Sequence, residues 1–316
     1  MSNLIKAYLA ETVRLIYWVP VRWFVRALPQ GLSYRFARLS GALFFFFSGN
    51  KKARLAHGFR FLFGDGDFGN EIRNTFENYA LNSIEVFLYP GLTKDKLASM
   101  VEYHGMDHIA RARAKGKGVI LLHGHFGNEE FLMPAFSFAV DCRVNQLASR
   151  WEPPVNKSVL YRFPDSVRRY AFRMRIGHRE ALPVNFIYID KGIKGAYRAL
   201  NNNEILLLAA DGREGTSWVE VDFMGRLALY SDGPMRIAQR TKAEVLPVFL
   251  VRGPDNRHRL IVEEPLPLEW TNDNDRDLRV NTQKFADRLG AYVKKYPCHY
   301  MKLFWQDMRY FKELTP

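Results

Sequence analysis

"GKGVILLHGHFGNEE", residues 116–130, joins two kinds of chain. Val119 to Leu122 is an unbroken apolar run framed by glycines, the pattern of a strand buried on both faces. From His123 the chain turns polar, and two histidines, two glycines, an asparagine and two glutamates follow before residue 131. Three more short apolar runs lie downstream: "NEILLLAADG" (203–212), "AEVLPVFLVR" (243–252) and "RHRLIVEE" (257–264). Segments of helical character separate most of them, among them "EEFLMPAFSFA", "KGIKGAYRAL" and "GPMRIAQRTK". Apolar strands alternating with helices predict an α/β fold, with a mixed, mostly parallel central sheet flanked by helices. The cleft of such a fold lies beyond the carboxyl ends of its strands, where "HGHFGNEE" and "ADGREG" both fall.

Upstream the pattern is helical. In "NEIRNTFENYALNSIEVFLYP" (70–90), Ile72, Phe76, Tyr79, Ala80, Ile84 and Phe87 recur at helical spacing, and Pro90 closes the segment. "TVRLIYWVPVRWFVRAL" (12–28) mixes aromatics with Arg14, Arg22 and Arg26. "LSGALFFFFSGN" (39–50) carries no charge but is short of the roughly 18–20 apolar residues a spanning helix needs. Neither has the pattern of a secretory signal. The mixture suits helices lying in a membrane interface with arginines reaching phosphates; core helices of the globular unit, or one tilted span, are the alternatives. The expected division is a helical, membrane-associating region over 1–90 and an α/β catalytic domain over 91–316.

The 316 residues are 47% hydrophobic and include 24 Phe, 15 Tyr and 6 Trp, which excludes a disordered chain. Lys and Arg number 46 against 33 Asp and Glu, a net charge of +13 that favours an anionic partner. Cys142 and Cys298 stand far apart, so neither a disulfide framework nor a structural zinc site is expected.

With a strand ending near His123 and a helix starting near Asn128, His125 occupies the connecting turn and Glu130 the first helical turn. A carboxylate on one imidazole nitrogen fixes the tautomer and makes the other nitrogen the better base. No serine or cysteine stands nearby as a nucleophile, so the chemistry that fits is direct attack by a hydroxyl on an activated acyl group. A turn histidine and a capping glutamate are the plainer reading of the same spacing.

The wider string resembles the first signature block of the lysophospholipid acyltransferase superfamily. Its branch is the lipid A biosynthesis acyltransferases, the lauroyl and myristoyl transferases with a His-Phe-Gly-Asn-x-Glu core. His125, Phe126, Gly127, Asn128 and Glu130 match that core. Glu129 stands where the family usually has Trp, a departure on the acyl or acceptor side, and His123 lies outside the motif. "LLLAADGREGTSWVEVDFMGRLALYSDGPMRIAQRTKAEVLPVF" resembles the family's later block through Asp211, the Phe223-x-Gly225-Arg226 turn, Gly233-Pro234 and Val245 to Phe249. Arg150 in "ASRWEPP" lies where the family typically has a Tyr-Arg-Pro arginine, and "YPCHYMKLFWQDMRYFK" resembles its ending. The resemblance spans about Val101 to Phe311, the N-terminal helices matching in character alone.

The resemblance implies that His125 is the general base and Glu130 its orienting partner. Asn128, Arg150, Asp211, Arg213 and Arg226 are the implied substrate-binding residues, through the acceptor, a phosphate or developing oxyanion charge. Each has alternatives: positioning the His125 pair or capping the helix for Asn128, a surface position for Arg150, organising the cleft or turn geometry for Asp211, and turn geometry for Arg213 and Arg226. The implied reaction moves a fatty acyl chain from an acyl-carrier-protein or coenzyme A thioester to a hydroxyl of a lipid A precursor or related glycolipid or phospholipid. It needs no metal and no cofactor beyond the thioester co-substrate, and it belongs at the cytoplasmic face of an inner membrane. The helix "VRRYAFRMR" (167–175) offers Arg168, Arg169, Arg173 and Arg175 as a solvated face or a docking face for an acidic carrier protein or anionic lipid. Two rivals remain: a thioester hydrolase using the same pair, and a non-enzymatic basic protein binding membranes or nucleic acid. No nucleic-acid-binding motif is present, and no nucleic-acid partner is expected.

Overall fold

The computed structural model describes residues 2–149, 158–211, 217–305, 308, 310 and 311. Among the described residues nine strands are formed: β1 Val101–His104, β2 Val119–His123, β3 Val144–Ala148, β4 Val184–Tyr188, β5 Ile205–Ala209, β6 Trp218–Phe223, β7 Arg226–Ser231, β8 Glu244–Arg252 and β9 His258–Val262. Seven make one sheet in the order β1-β9-β8-β2-β5-β3-β4, and β6 and β7 form a separate antiparallel hairpin. Every pairing in the large sheet is parallel except β8 with β9. The fold is therefore α/β with a mixed, mostly parallel central sheet, as the alternation of apolar runs predicted.

The apolar runs are buried on both faces because helices cover both. Along β2, Ile120 and Leu122 enter one core with Leu206 and Leu208 of β5 and Val245 and Phe249 of β8. Val119 and Leu121 enter the opposite core with Ile205, Leu207, Leu246 and Val248. The helix Asn274–Lys295 supplies Phe285, Leu289 and Val293 to the first, and the helix Met106–Arg113 supplies Ile109 to the second. β2 thus lies at the middle of the sheet, between β8 and β5, and its carboxyl end carries His123 and the turn beyond it.

The N-terminal segment is helical over Ser2–Ile16 and Arg22–Ala27, with a π-helical turn at Tyr17–Val21 between them. That turn contains Pro20, whose missing N–H a wider turn accommodates without ending the helix. Helices Gln30–Phe47, Gly49–Phe63 and Gly69–Glu85 follow. Trp18, Val25, Tyr34 and Ala37 are buried in the same core as Phe87 and Phe131, while Leu9, Val13, Trp23, Leu39, Phe46 and Phe47 are exposed. The helices are thus both things at once, core on one side and bare apolar surface on the other. No helix among the described residues is long and apolar enough to cross a membrane, so the tilted span is not found there.

Beneath the β2 turn lies a buried ionic cluster. Arg252, at the end of β8, holds the Glu85 carboxylate with two hydrogen bonds of 2.8 Å, and His258 Nε2 and the Tyr34 hydroxyl meet it at 3.0 and 2.9 Å. Burial alone would raise the Glu85 carboxyl, but Arg252 and His258 hold it well below the ordinary carboxylate range. Removing one partner strands a buried charge. Glu85→Gln is therefore expected to cost about 3–5 kcal/mol of stability, read as a lower denaturant midpoint. Equal midpoints would mean that the cluster adds nothing to stability.

Candidate active site

β2 and β5 are adjacent and parallel, with His123 opposite Ala209, so the two chains leave the sheet side by side. That places His125 and Asp211 together. The His125 backbone N–H donates to Asp211 Oδ2 at 2.9 Å, and Nδ1 lies 2.7 Å from Asp211 Oδ1. Asp211 is wholly buried, whereas the His125 side chain keeps 27% of its surface exposed. Burial works against ionised Asp211, but His125 and Lys302 outweigh it and hold the carboxyl well below its usual range. Lys302 Nζ donates to the Asp211 backbone carbonyl at 2.6 Å from a buried position. Nδ1 thus carries the proton and Nε2 remains the basic nitrogen, facing outward.

Nε2 has its own neighbour. Glu129 Oε2, at the start of the 3-10 turn that follows, stands 3.7 Å away. Burial lowers the His125 pKa, but Glu129 and Asp211 together carry it above the ordinary histidine value, with Lys302 opposing them. A base must be neutral to act. Activity is therefore expected to fall as pH drops through a value above about 6.5, and kcat/KM against pH measures it. An acid limb below that value would contradict the carboxylate environment of His125.

Glu130 corrects the sequence expectation. Its carboxylate forms an ion pair with Arg175 of the helix Arg162–Glu180, and it makes no hydrogen bond or ion pair with His125. The turn at Glu129–Phe131 is 3-10 helical, so neighbouring side chains diverge sharply; Glu129 takes the His125 side and Glu130 the other. Burial raises the Glu130 carboxyl, but Arg175 and Arg179 bring it below its ordinary value. The carboxylate that orients the imidazole in the structure is Asp211.

The other expected site residues divide. Asn128 is buried and donates to Glu85 Oε2 at 2.6 Å, so its amide braces the turn from below rather than facing substrate. Asn82 adds a second brace by donating to the Gly127 carbonyl at 3.0 Å. Gly127 has φ +68°, and a Cβ there would lie 1.9 Å from the Leu250 carbonyl oxygen, so no other residue fits. Asp211, expected as a substrate contact or cleft organiser, is the partner of His125. Arg226 sits on the hairpin strand β7, donates to the Phe61 carbonyl at 2.9 Å and covers the Phe61 ring, which ties it to the helix Gly49–Phe63. Arg150 and Arg213 lie outside the described residues. His123 is buried, with its pKa lowered to about 4 chiefly by that burial, and is no base for the cleft. Among the described residues no cluster of His, Cys, Asp and Glu suits a metal ion.

This arrangement can deprotonate a hydroxyl and stabilise the resulting imidazolium. The sequence pattern of bacterial lipid A biosynthesis acyltransferases matches residues 6–306. The chain belongs to that family. It is an acyltransferase of the lipid A and glycolipid type, and the match reaches into the N-terminal helices that resembled the family in character alone. Similar proteins include the phosphatidylinositol mannoside acyltransferase of Mycolicibacterium smegmatis, 24% identical over 236 residues, which cover 73% of this chain and 70% of that one. The Mycobacterium tuberculosis phosphatidylinositol mannoside acyltransferase is 27% identical over 238 residues, covering 72% and 67%. In this acyltransferase two carboxylates, Asp211 and Glu129, flank the histidine that the sequence had paired with Glu130. The sequence signal for Asp211 was its place at the end of an apolar strand, like His125; the four-residue spacing to His125 was the signal for Glu129.

Proposed function

We propose that this protein transfers a fatty acyl chain from an acyl thioester, carried by acyl carrier protein or coenzyme A, to a hydroxyl of a membrane lipid. The observation that carries the reading is the buried Asp211 carboxylate on Nδ1 of a part-exposed His125. His125 Nε2 takes the acceptor's proton as its oxygen attacks the thioester carbonyl. The imidazolium then returns a proton to the departing thiolate, while Asp211 stabilises the charged ring. The thioester is already activated, so no metal or further cofactor is needed. Lipid A precursors and related glycolipids or phospholipids are the acceptors that the family and its phosphatidylinositol mannoside relatives favour.

The proposed place of work is the cytoplasmic face of an inner membrane, with the chain bound peripherally. The exposed Leu9, Val13, Trp23, Phe46 and Phe47, set among basic residues on the N-terminal helices, support that docking. Glu130 is proposed to hold the turn through Arg175 rather than to act on the histidine. Glu130→Gln is then expected to cost about tenfold or less in kcat, since ion pairs with an exposed partner contribute roughly 1 kcal/mol or less. A loss of more than about 10²-fold, the scale of acid–base catalysis, would return Glu130 to the reacting pair.

The test of the function is a lipid profile by mass spectrometry from cells producing the protein or its His125→Ala variant. A lipid that gains one acyl mass only with the intact histidine is the expected result. Identical profiles in a host supplied with the candidate glycolipid would oppose it.

A further inference from the structure

Glu129 is the feature of the site that the general-base reading leaves unused. It replaces the aromatic residue that the family usually carries. Its backbone carbonyl accepts from the Leu132 N–H, but its carboxylate makes no hydrogen bond with another described residue. Its side chain is 28% exposed, and its carboxylate stands beside Nε2, the nitrogen that must receive the acceptor's proton. At 3.7 Å the two atoms are too far apart for a good hydrogen bond to each other. They form instead a pair of outward-facing acceptors at a separation that two hydroxyls of one molecule span.

We propose that Glu129 selects the acceptor: His125 Nε2 takes the reacting hydroxyl while Glu129 accepts a hydrogen bond from a second hydroxyl one or two carbons away. The acceptor class is thus a polyol, a sugar or glycerol headgroup, rather than a lone hydroxyl on an alkyl or acyl chain. A lone hydroxyl leaves the carboxylate stripped of water and without a donor, which disfavours it. An acceptor whose neighbouring group is a phosphate or a carbonyl oxygen meets like-charge repulsion or lone-pair opposition at the same place.

The electrostatics agree. His125, Asp211, Glu130 and Lys302 face Glu129; burial raises its pKa, Asp211 and Glu130 add to the rise, and His125 and Lys302 oppose it. A second donor from the substrate relieves the crowding of three carboxylates. Around His125 the facing charges are Glu129, Asp211 and Lys302, with His123 behind it. The inference rests on the proposed acyl transfer and adds the chemistry of what is acylated.

The experiment uses the purified full chain with lauroyl-coenzyme A or lauroyl-acyl carrier protein, whichever the wild-type protein turns over. Dodecyl glucoside supplies a polyol acceptor and 1-dodecanol a lone hydroxyl. The wild-type protein is expected to favour the glucoside in kcat/KM by about 10- to 100-fold, the worth of one hydrogen bond to a charged group. Glu129→Ala is expected to lose that preference through a higher KM for the glucoside, and Glu129→Gln to keep part of it. The acid limb of the pH profile should move lower in both variants. An equal preference in wild type and Glu129→Ala, or none in the wild type, overturns the selection by Glu129 and leaves acyl transfer standing. Thioester cleavage with no acylated product from either acceptor, or no turnover of either thioester, overturns the transferase reading and this inference with it.

Discussion

Asp211→Asn lowers kcat by about 10²- to 10⁴-fold with little change in KM for either substrate. Tautomer and charge both account for the loss. The wild-type carboxylate accepts two hydrogen bonds from residue 125, from the backbone N–H and from Nδ1. An asparagine presents one acceptor and one donor, so it keeps the backbone bond and turns its amide toward the ring. Nδ1 must then be the acceptor, and the proton moves to Nε2, where it blocks the base. The imidazolium formed during attack also loses its hydrogen-bonded counter-charge, the Asp211 carboxylate. Because Asp211 is wholly buried, water cannot take its place. Steady-state kinetics over a range of pH would check this, and a variant within tenfold of wild type at every pH would remove Asp211 from the mechanism.

His125→Ala carries the largest expected loss, about 10³-fold or more, the upper half of what positioned acid–base groups contribute. The fold should survive. The turn is held by its backbone and by residues other than the imidazole: the N–H of residue 125 still reaches Asp211, Gly127 N–H donates to the His299 carbonyl at 2.7 Å, and Asn128 and Asn82 brace the chain from below. Deleting the ring leaves Asp211 with one hydrogen bond fewer, a cost of about 1–3 kcal/mol. Circular dichroism and thermal unfolding separate that modest shift from a collapse of the site. Near-wild-type transfer by the variant would end the base assignment.

β2, β5 and the interior of β8 were legible because burial on both faces leaves no polar position to interrupt the run; β9, whose burial alternates, was legible from Leu260–Val262. β1, β3 and β4 were not. "VEYH" and "VNQLA" carry polar residues inside short edge or near-edge strands, where one side meets solvent or a side-chain network. Asn145, for instance, is buried in β3 and donates to the Ile205 carbonyl, a partner no local pattern reveals. The π-helical turn at Pro20 was likewise hidden, since a proline in a helical pattern usually reads as an end.

In the site, the histidine could be read from the strand end on which it sits. Its partner could not. Glu130 is close in sequence, but side-chain direction on a 3-10 turn sends Glu129 and Glu130 apart, and the inward nitrogen is already taken by a residue 86 positions away. Asp211 had been placed at a parallel strand end; what the sequence lacked was the strand order that sets β5 beside β2. The partner that lets Asn128 position the turn was hidden for a related reason. That partner, Glu85, comes from the N-terminal helices, which ties that region to the floor of the catalytic turn.

Transfer to a lipid hydroxyl and hydrolysis by the same histidine differ in where the acyl group goes. The ratio of free thiol released to acylated lipid formed by the purified protein, with acyl thioester and a glycolipid in detergent micelles, separates the two. Transfer gives one thiol for each acylated lipid, and little thiol release when the acceptor is omitted. Thiol released at the full rate without acceptor, and no acylated lipid when it is present, would contradict it and make the protein a thioesterase.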